Sequence, residues 1–388
     1  MSGIVLSASV RQNLLSLQST ADLLSTTQNR LATGKKVNTA LDNPTNYFTA
    51  ASLDSRASDI NNLLDGIGNG VQVLQAANTG ITSLQKLVDT AKSIANQVLQ
   101  TTVGYSSKST ATSAIALGGN AANLVDGTVI KSGDILAIAS TGGGTATSIT
   151  FGASESLDQL NTTLAANNLS ASIDSAGKLV ITTTNDAASS SVGAITYTNT
   201  GGGTITFGAV AAPVADAASQ AIRSNLVSQY NNIIAQITTT AQDSSFNGIN
   251  LLNGDNLKLT FNETGKSTLS ITGVSYNATG LGLATLVAGT DFKDNNSANK
   301  ALAALSSAST SLRTEASALG SNLSIVQIRQ DFSKNLINVL QTGSSNLTLA
   351  DTNEEAANSQ ALATRQSIAV SALALANQSQ QSVLQLLR

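Results

Sequence analysis

The stretch "SVRQNLLSLQSTADLLSTTQNRLATG", Ser9 to Gly34, sets the terms on which the rest of the chain is read. Val10, Leu14, Leu17, Ala21, Leu24, Gln28 and Leu31 recur at alternating steps of four and three, the spacing of a coiled-coil seam. A solvated helix carries charge on its other faces, yet between Ser9 and Leu31 the only charged residues are Arg11, Asp22 and Arg30. Such a helix needs cover on nearly every side, more than one partner helix supplies.

The whole chain shares this neutrality. Of its 388 residues 11% are charged and 3% aromatic, and the net charge is −3, against roughly 25% charged in ordinary soluble domains. Faces of this kind suit broad contact with other protein. They do not suit nucleic acid, which is held by clustered Lys and Arg. There is no Cys, His or Trp, so disulfides, thiolate metal sites, Cys nucleophiles and imidazole-dependent triads are excluded. The opening "MSGIVLSASV" lacks the basic flank and apolar length of a cleavable signal. The uncharged run Gln366 to Leu387 is interrupted by Gln, Ser and Asn, which would sit unsatisfied in hydrocarbon, so no membrane insertion is expected.

After a break at "GKKVNTALDNPTNY", marked by Gly34 and Pro44, the seam returns at Ile60, Leu64, Ile67, Val71, Leu74, Asn78, Ile81, Gln85, Val88, Lys92, Ala95 and Leu99. A helix over Leu53 to Gln100 would extend about 70 Å. Gly66, Gly68 and Gly70 in its middle predict a bend or a close helix contact. Near the other end Ser297 is read as the cap of a helix with its seam at Leu302, Leu305, Leu312, Leu319, Val326, Ile337 and Leu340. "QTGSSNLTLADTN" breaks it, and a last helix follows from about Asn353, with Leu362, Gln366, Ala369, Leu373, Ala376, Gln380, Val383 and Leu387 in register. Each end of the chain therefore offers a neutral terminal helix, a breaker and a long inner helix.

Between these lies a different composition. From about Gly104 to Pro213 the chain is rich in Gly, Thr and Ser, with strand-like runs "DILAIAS", "TSITF", "LSASID", "KLVITTT", "AITYTN" and "TITFGA" and one short helix near "SESLDQLNTTLAANN". Helical spacing then resumes through Ile222, Leu226, Tyr230, Ile233 and Ile237, and "KLTFNETGKSTLSITGV" reads as a hairpin turning at Asn262 to Gly265. "NETGKST" lacks the first glycine of a phosphate loop and sits in that hairpin. Asp351, Glu354 and Glu355 suit a helix start, where carboxylates meet the helix dipole favourably. No catalytic, cofactor or metal constellation emerges, so no enzyme is expected. The predicted fold class is mostly α with a β-rich insertion: long coiled-coil rod helices from both chain ends, a β-hairpin and an outer α+β domain.

Residues Leu31 to Gln85, from "LATGKK" through the long helix to "GITSLQ", resemble bacterial flagellins, with Gly66 and Gly80 where that family commonly has glycine. "SSFNGINLLNG" (Ser244 to Gly254) is similar to the family's Phe-Asn-Gly signature, and "ANQSQQSVLQLLR" (Ala376 to Arg388) to its C-terminal end. The middle resembles the β-helix-β module found in many axial flagellar proteins, here inserted between the first and second rod helices. The resemblance implies a subunit that polymerises into the extracellular flagellar filament used for swimming. It implies export through the flagellar type III apparatus without a cleaved signal peptide, an export chaperone, and hook-associated and cap proteins as partners. A hook-filament junction protein shares the terminal helices and is the alternative. A secreted enzyme or an adhesin carried on such ends fits poorly with the missing His and Trp.

On this resemblance residues 1–43 form the N-terminal assembly helix and spoke, 44–103 the first rod helix and 104–215 the surface-exposed insertion. Residues 216–296 hold the second rod helix and hairpin, 297–343 the C-terminal rod helix and 344–388 the C-terminal assembly helix. Self-assembly is assigned to Val10, Leu14, Leu17, Leu24, Leu31, Leu362, Ala369, Leu373, Ala376, Val383 and Leu387. In flagellins that the animal Toll-like receptor detects well, the rod helix supplies an arginine and a glutamate to it. Val88 stands in the arginine's place here, and Asp89 keeps the acidic charge one methylene shorter, so weak detection is expected.

Overall fold

The computed structural model describes residues 8–200 and 205–386. Helix α1 (Ala8–Thr33) stops at Gly34, whose φ of +70° is a left-handed turn that glycine adopts without steric cost. Asn43 then caps α2 (Pro44–Gln100) by accepting the Asn46 N–H at 3.0 Å. Pro44 sits in the first turn, where its missing N–H costs no helical bond. The remaining helices and strands are β1 (Tyr105–Ser107), β2 (Thr110–Thr112), β3 (Ile135–Ile138), β4 (Thr147–Thr150), α3 (Leu157–Ala165), β5 (Leu169–Ile173), β6 (Leu179–Thr183), β7 (Ile195–Thr198), β8 (Val214–Ala215), α4 (Ala217–Asp243), β9 (Leu257–Thr260), β10 (Thr268–Ile271), α5 (Asn295–Thr348) and α6 (Thr352–Leu386). The chain is mostly α with a β-containing middle region.

Contacts divide it into two units, the first holding the described residues of Met1–Asn69, Leu259–Leu269 and Ile325–Arg388. There Ala57 and Ile60 of α2 cluster with Ile337 and Leu340 of α5, flanked by Leu53, Leu64 and Leu336. The expected break at "QTGSSNLTLADTN" is shorter than the sequence suggests, because α5 continues through Gly343 to Thr348. A glycine costs a helix about 1 kcal/mol against Ala, and packing offsets this: a Cβ on Gly343 would already touch Leu53 at 3.5 Å. The chain turns at Leu349 to Asp351, where Lys36 N–H donates to Thr348 O at 2.8 Å and Ala350 N–H to Gly34 O at 3.0 Å. Asp351 accepts the Asn353 N–H at 2.9 Å and so caps α6.

The second unit holds Gly70–Lys258 and Ser270–Ser324. Its α2 segment buries Leu74, Ala77, Ile81, Leu84, Val88, Ala91, Ala95 and Val98, so the second row of the seam lies three residues after each first-row residue. The expected row at Asn78, Gln85 and Lys92 is exposed or half-buried. Gly66, Gly68 and Gly70 continue the helix, and a Cβ on Gly66 would meet nothing within 4 Å. The close approach is at Gly80 instead, where a Cβ would come within 2.7 Å of Leu252 Cδ1 and also strike Ser244.

Helix α4 buries Leu226, Val227, Tyr230, Ile234 and Ile237, while Ile222, expected on that face, is exposed and Arg223 is buried beside it. Burial lowers the Arg223 pKa from its ordinary value, and the charge of Asp294 opposes that shift. Arg223 Nε donates to Thr102 O at 2.9 Å, Nη1 to Phe292 O at 2.8 Å, and Nη2 to Val98 O, Thr101 O and Asn295 Oδ1 at 3.0, 3.1 and 3.1 Å. The guanidinium thus adds donors to the carbonyls where α2 ends, among them Val98 O, which also accepts the Thr101 hydroxyl at 2.8 Å, and joins them to the start of α5. Helix α5 begins at Asn295, ahead of the expected cap Ser297, whose Oγ instead accepts the Phe292 N–H at 2.6 Å.

The insertion forms the antiparallel sheets β2-β6-β5 and β4-β3-β7. They share a core of Leu136, Ile138, Phe151, Leu169 and Ile181 with Leu160 and Leu164 of α3. Ser156 caps α3 in a reciprocal pair with Gln159. "TITFGA" makes no strand in its described part: Ile205 is buried and Phe207 forms a single bridge to Ser113.

Replacing Arg223 with Met is expected to destabilise the second unit by about 3 kcal/mol, because the buried bonds to Phe292 O and Val98 O and the part-buried ones to Thr101, Thr102 and Asn295 are lost together. Denaturant unfolding of the whole chain measures this; a loss under about 1 kcal/mol would show that those carbonyls find other donors.

Candidate assembly surface

Within the first unit α1 packs against α6, with the C-terminal end of one beside the N-terminal end of the other. Arg30 Nη1 reaches Glu355 Oε1 at 3.4 Å, and Glu355 is buried. On α1 the inward residues are Val10, Asn13, Leu17, Thr20, Leu24 and Thr27, of which Val10, Thr20 and Thr27 are fully buried. The buried Thr20 hydroxyl donates to Ser16 O at 2.8 Å, which spares it an outside partner. On α6 the inward line is Leu362, Gln366, Ala369, Leu373 and Ala376, each half-buried.

These positions sort the expected assembly residues. Val10, Leu17 and Leu24 face α6, and Leu362, Ala369, Leu373 and Ala376 face α1. Leu14 and Leu31 remain exposed, since the second row of α1 falls on Asn13, Thr20 and Thr27 and not on Leu14, Ala21 and Gln28. The side chain of Val383, and Leu387 as a whole, lie outside the described residues. Sequence spacing passes over the Thr20 and Thr27 row because hydroxyls carry no hydropathy signal.

A pair of helices covers one face of each, and what remains here is nearly free of charge, with large apolar side chains set among Ser, Thr, Gln and Asn. Leu15 is 66% exposed and Leu375 70%, with Leu14, Leu23, Ile368 and Val370 also in the open. Glu354, Glu355 and Arg365 are the charges of α6, and Arg11, Asp22 and Arg30 those of α1. Exposed apolar surface of this extent marks a protein contact. Among the described residues no cluster of three or more Asp or Glu comes together to hold a metal, and no helix is long and apolar enough to cross a membrane.

In the second unit Val88 is sealed in the helix core, while Asp89 is exposed. A valine at this position therefore packs, whatever else its identity changes.

Residues 5–137 match the family model described as the bacterial flagellin N-terminal helical region, and residues 302–387 match that of the C-terminal helical region. Together they take in α1, α2, nearly all of α5, and α6. Flagellin FljM of Caulobacter vibrioides is 32% identical over 165 residues, 42% of this chain and 59% of that protein. A flagellin of Brucella melitensis is 30% identical over 182 residues, covering 44% and 64% of the two chains. Flagellin A of Rhizobium meliloti is 37% identical over 87 residues, 22% of each. The chain thus spans about 59% of the length of the first of these relatives.

Substituting Val88 with Arg would press a guanidinium into a closed apolar site. The melting temperature of the whole chain is expected to fall by at least about 6 °C, from roughly 3 kcal/mol of buried-charge and overpacking cost. An unchanged melting temperature would mean that the side chain escapes to solvent.

Proposed function

Starting from the fact that the chain belongs to the bacterial flagellin family, by the match of both terminal helical regions, we propose that it is a structural subunit polymerising into the flagellar filament. Its task is mechanical and has no catalytic step or cofactor. One observation carries this reading: α1 and α6 pair within the chain and still leave long, nearly uncharged faces in the open. Copies of the same chain supply matching faces, and a contact repeated head to tail grows into a filament without closing.

On this reading the assembly residues have two duties. Val10, Leu17, Leu24, Leu362, Ala369, Leu373 and Ala376 hold the pair together, and Leu14 and Leu31 meet neighbouring copies. Residues 1–43 and 344–388 form the inner, polymerising part, and residues 104–215 face outward. Export by the flagellar apparatus with a chaperone, growth beneath a cap protein and attachment through hook-associated proteins complete the set of partners, and the filament is extracellular. The relatives are named flagellins, which favours the filament subunit over a hook-filament junction protein.

Leu15→Asp and Leu375→Asp change side chains that are exposed in the chain, so the fold and its circular dichroism should be kept. Each is expected to abolish filament formation, because a carboxylate then enters every subunit contact unpaired, at several kcal/mol. Electron microscopy after salting-out decides it, and normal filaments from both variants would refute the reading. With valine in the receptor's arginine position, purified monomer should be at least about tenfold less potent on receptor-reporter cells than a strongly detected flagellin, the expected result of losing one interfacial arginine. Equal potency would refute that expectation.

A further inference from the structure

An asparagine followed by glycine can be attacked by its own backbone, because glycine has no side chain to block the approach of its nitrogen to the preceding carboxamide. The chain has three such pairs, at Asn69, Asn247 and Asn253, and the fold treats each differently. Asn69 and Gly70 lie inside α2, where Gly70 is buried and its N–H belongs to the helical ladder.

Asn247 and Gly248 are the two central residues of a tight turn in "SSFNG" (Ser244 to Gly248). Phe246 N–H donates to Ile249 O and Ile249 N–H to Phe246 O, both at 3.0 Å, and the φ angles of Asn247 and Gly248 are +49° and +80°. Asparagine and glycine are the residues that tolerate such a left-handed pair. Both are exposed, and among the described residues neither the Asn247 carboxamide nor the Gly248 N–H has a hydrogen-bond partner. A Cβ on Gly248 would meet nothing within 4 Å, so the turn has open space around it.

Asn253 and Gly254 are exposed as well, with a φ of +94° at Gly254. Their surroundings are less permissive. Asn253 bridges Ser275, and Asp255, next to Gly254, holds its carboxylate in place by accepting the Asn250 N–H at 2.9 Å. A negative charge beside the Gly254 amide opposes removal of its proton.

We propose that Asn247 is a self-modification site, converted through a cyclic imide to aspartate and isoaspartate ahead of Asn253 and Asn69. Hydroxide removes the Gly248 amide proton, the nitrogen forms a bond to Asn247 Cγ, and the Cγ–Nδ2 bond breaks, the leaving nitrogen taking a proton from water to depart as ammonia. Water then opens the ring. Addition at Cγ leaves aspartate, and addition at the main-chain carbonyl leaves isoaspartate; water is the only reagent consumed. The product adds a carboxylate to a chain of net charge −3. As isoaspartate it also inserts a methylene between Phe246 and Ile249, so their paired bonds lose register. The site does not depend on the filament reading.

The test keeps the purified whole chain as monomer in mildly alkaline buffer over days. Samples are digested and read by mass spectrometry with electron-transfer fragmentation, which separates isoaspartate from aspartate. Isoaspartate at Asn247 is expected at least about tenfold faster than at Asn69, whose glycine N–H is released only when the helix opens. It is also expected to outpace Asn253. In denaturant the gap between Asn247 and Asn69 should close to within about threefold, since the helix that shields one of them is gone. Absence of conversion at Asn247 overturns the proposal, as does Asn69 or Asn253 keeping pace with it in the folded chain. So does a gap that denaturant leaves unchanged, or aspartate formed without isoaspartate, the mark of direct hydrolysis.

Discussion

The Arg223 guanidinium is the fixed point of the second unit. Three elements depend on it at once: the last turn of α2 through the carbonyls of Val98, Thr101 and Thr102, the loop at Phe292, and the first residue of α5, Asn295. A helix end leaves carbonyls short of partners, and the bonds to Val98 O and Phe292 O are buried, where water does not replace a lost donor. Arginine suits the position because its planar fork holds several donors in one geometry, where an ammonium would be a single point. The T-shaped Tyr230 and Phe292 rings, 6.0 Å apart, pack next to this junction. The relative alignment of α2, α4 and α5 in this unit is set there by hydrogen bonds with direction, whereas the apolar seams could slide.

The first unit is built on a different rule. Its helices are long, its ion pairs among the described residues are few, and its inward rows mix Ala, Val, Leu and Ile with Ser, Thr, Asn and Gln. Packing of such rows defines which faces meet and leaves large apolar side chains on the opposite faces with little charge around them. In an isolated chain that is an unfavourable surface. In the filament proposed above it would be the means by which copies recognise one another, and the low charge would avoid repulsion between identical subunits stacked many times over.

Much of this was legible in the residues, and what was not has a physical cause. Helices α2, α5 and α6 and the strands around Leu136, Ile149, Ala171 and Ile181 follow from period alone. The second row of α2 was available too, since Ala77, Leu84, Ala91 and Val98 are more apolar than Asn78, Gln85 and Lys92. In α1 it was not, because Leu14 outweighs Asn13 on any hydropathy scale while the buried place goes to the residue whose small polar side chain fits against α6. Arg223 was invisible in the same way: its partners lie 69 to 125 residues away, and a charged residue next to Ile222 reads as surface. Gly80 could be recognised as a glycine in a long helix, but not that Leu252 closes on it. Spacing identified the line by which α6 faces α1 and half of the line by which α1 faces α6; which leucines remain exposed depended on the register of the pair.

The insertion enters and leaves the helical core through one narrow gate. Tyr105 pairs with Ala215 across β1 and β8, and Asp216 N–H donates to Gly104 O at 3.0 Å, with the Gln220 amide on the same carbonyl. Everything from Ser106 to Val214 is therefore a loop whose ends are already closed by the protein that carries it. Lengthening such a loop costs only about 0.6 kcal/mol for each doubling. The gate is not its whole attachment: the Asn296 amide donates to Gly142 O at 2.9 Å, Asn299 to Asp186 Oδ1 at 3.3 Å, and the Ser189 hydroxyl to Asp294 just ahead of α5. A segment exchanged for this one keeps the closed ends at the gate and gives up the bonds to the start of α5, so the scaffold registers the change at Asp294, Asn296 and Asn299 and not where α2 and α4 meet Arg223.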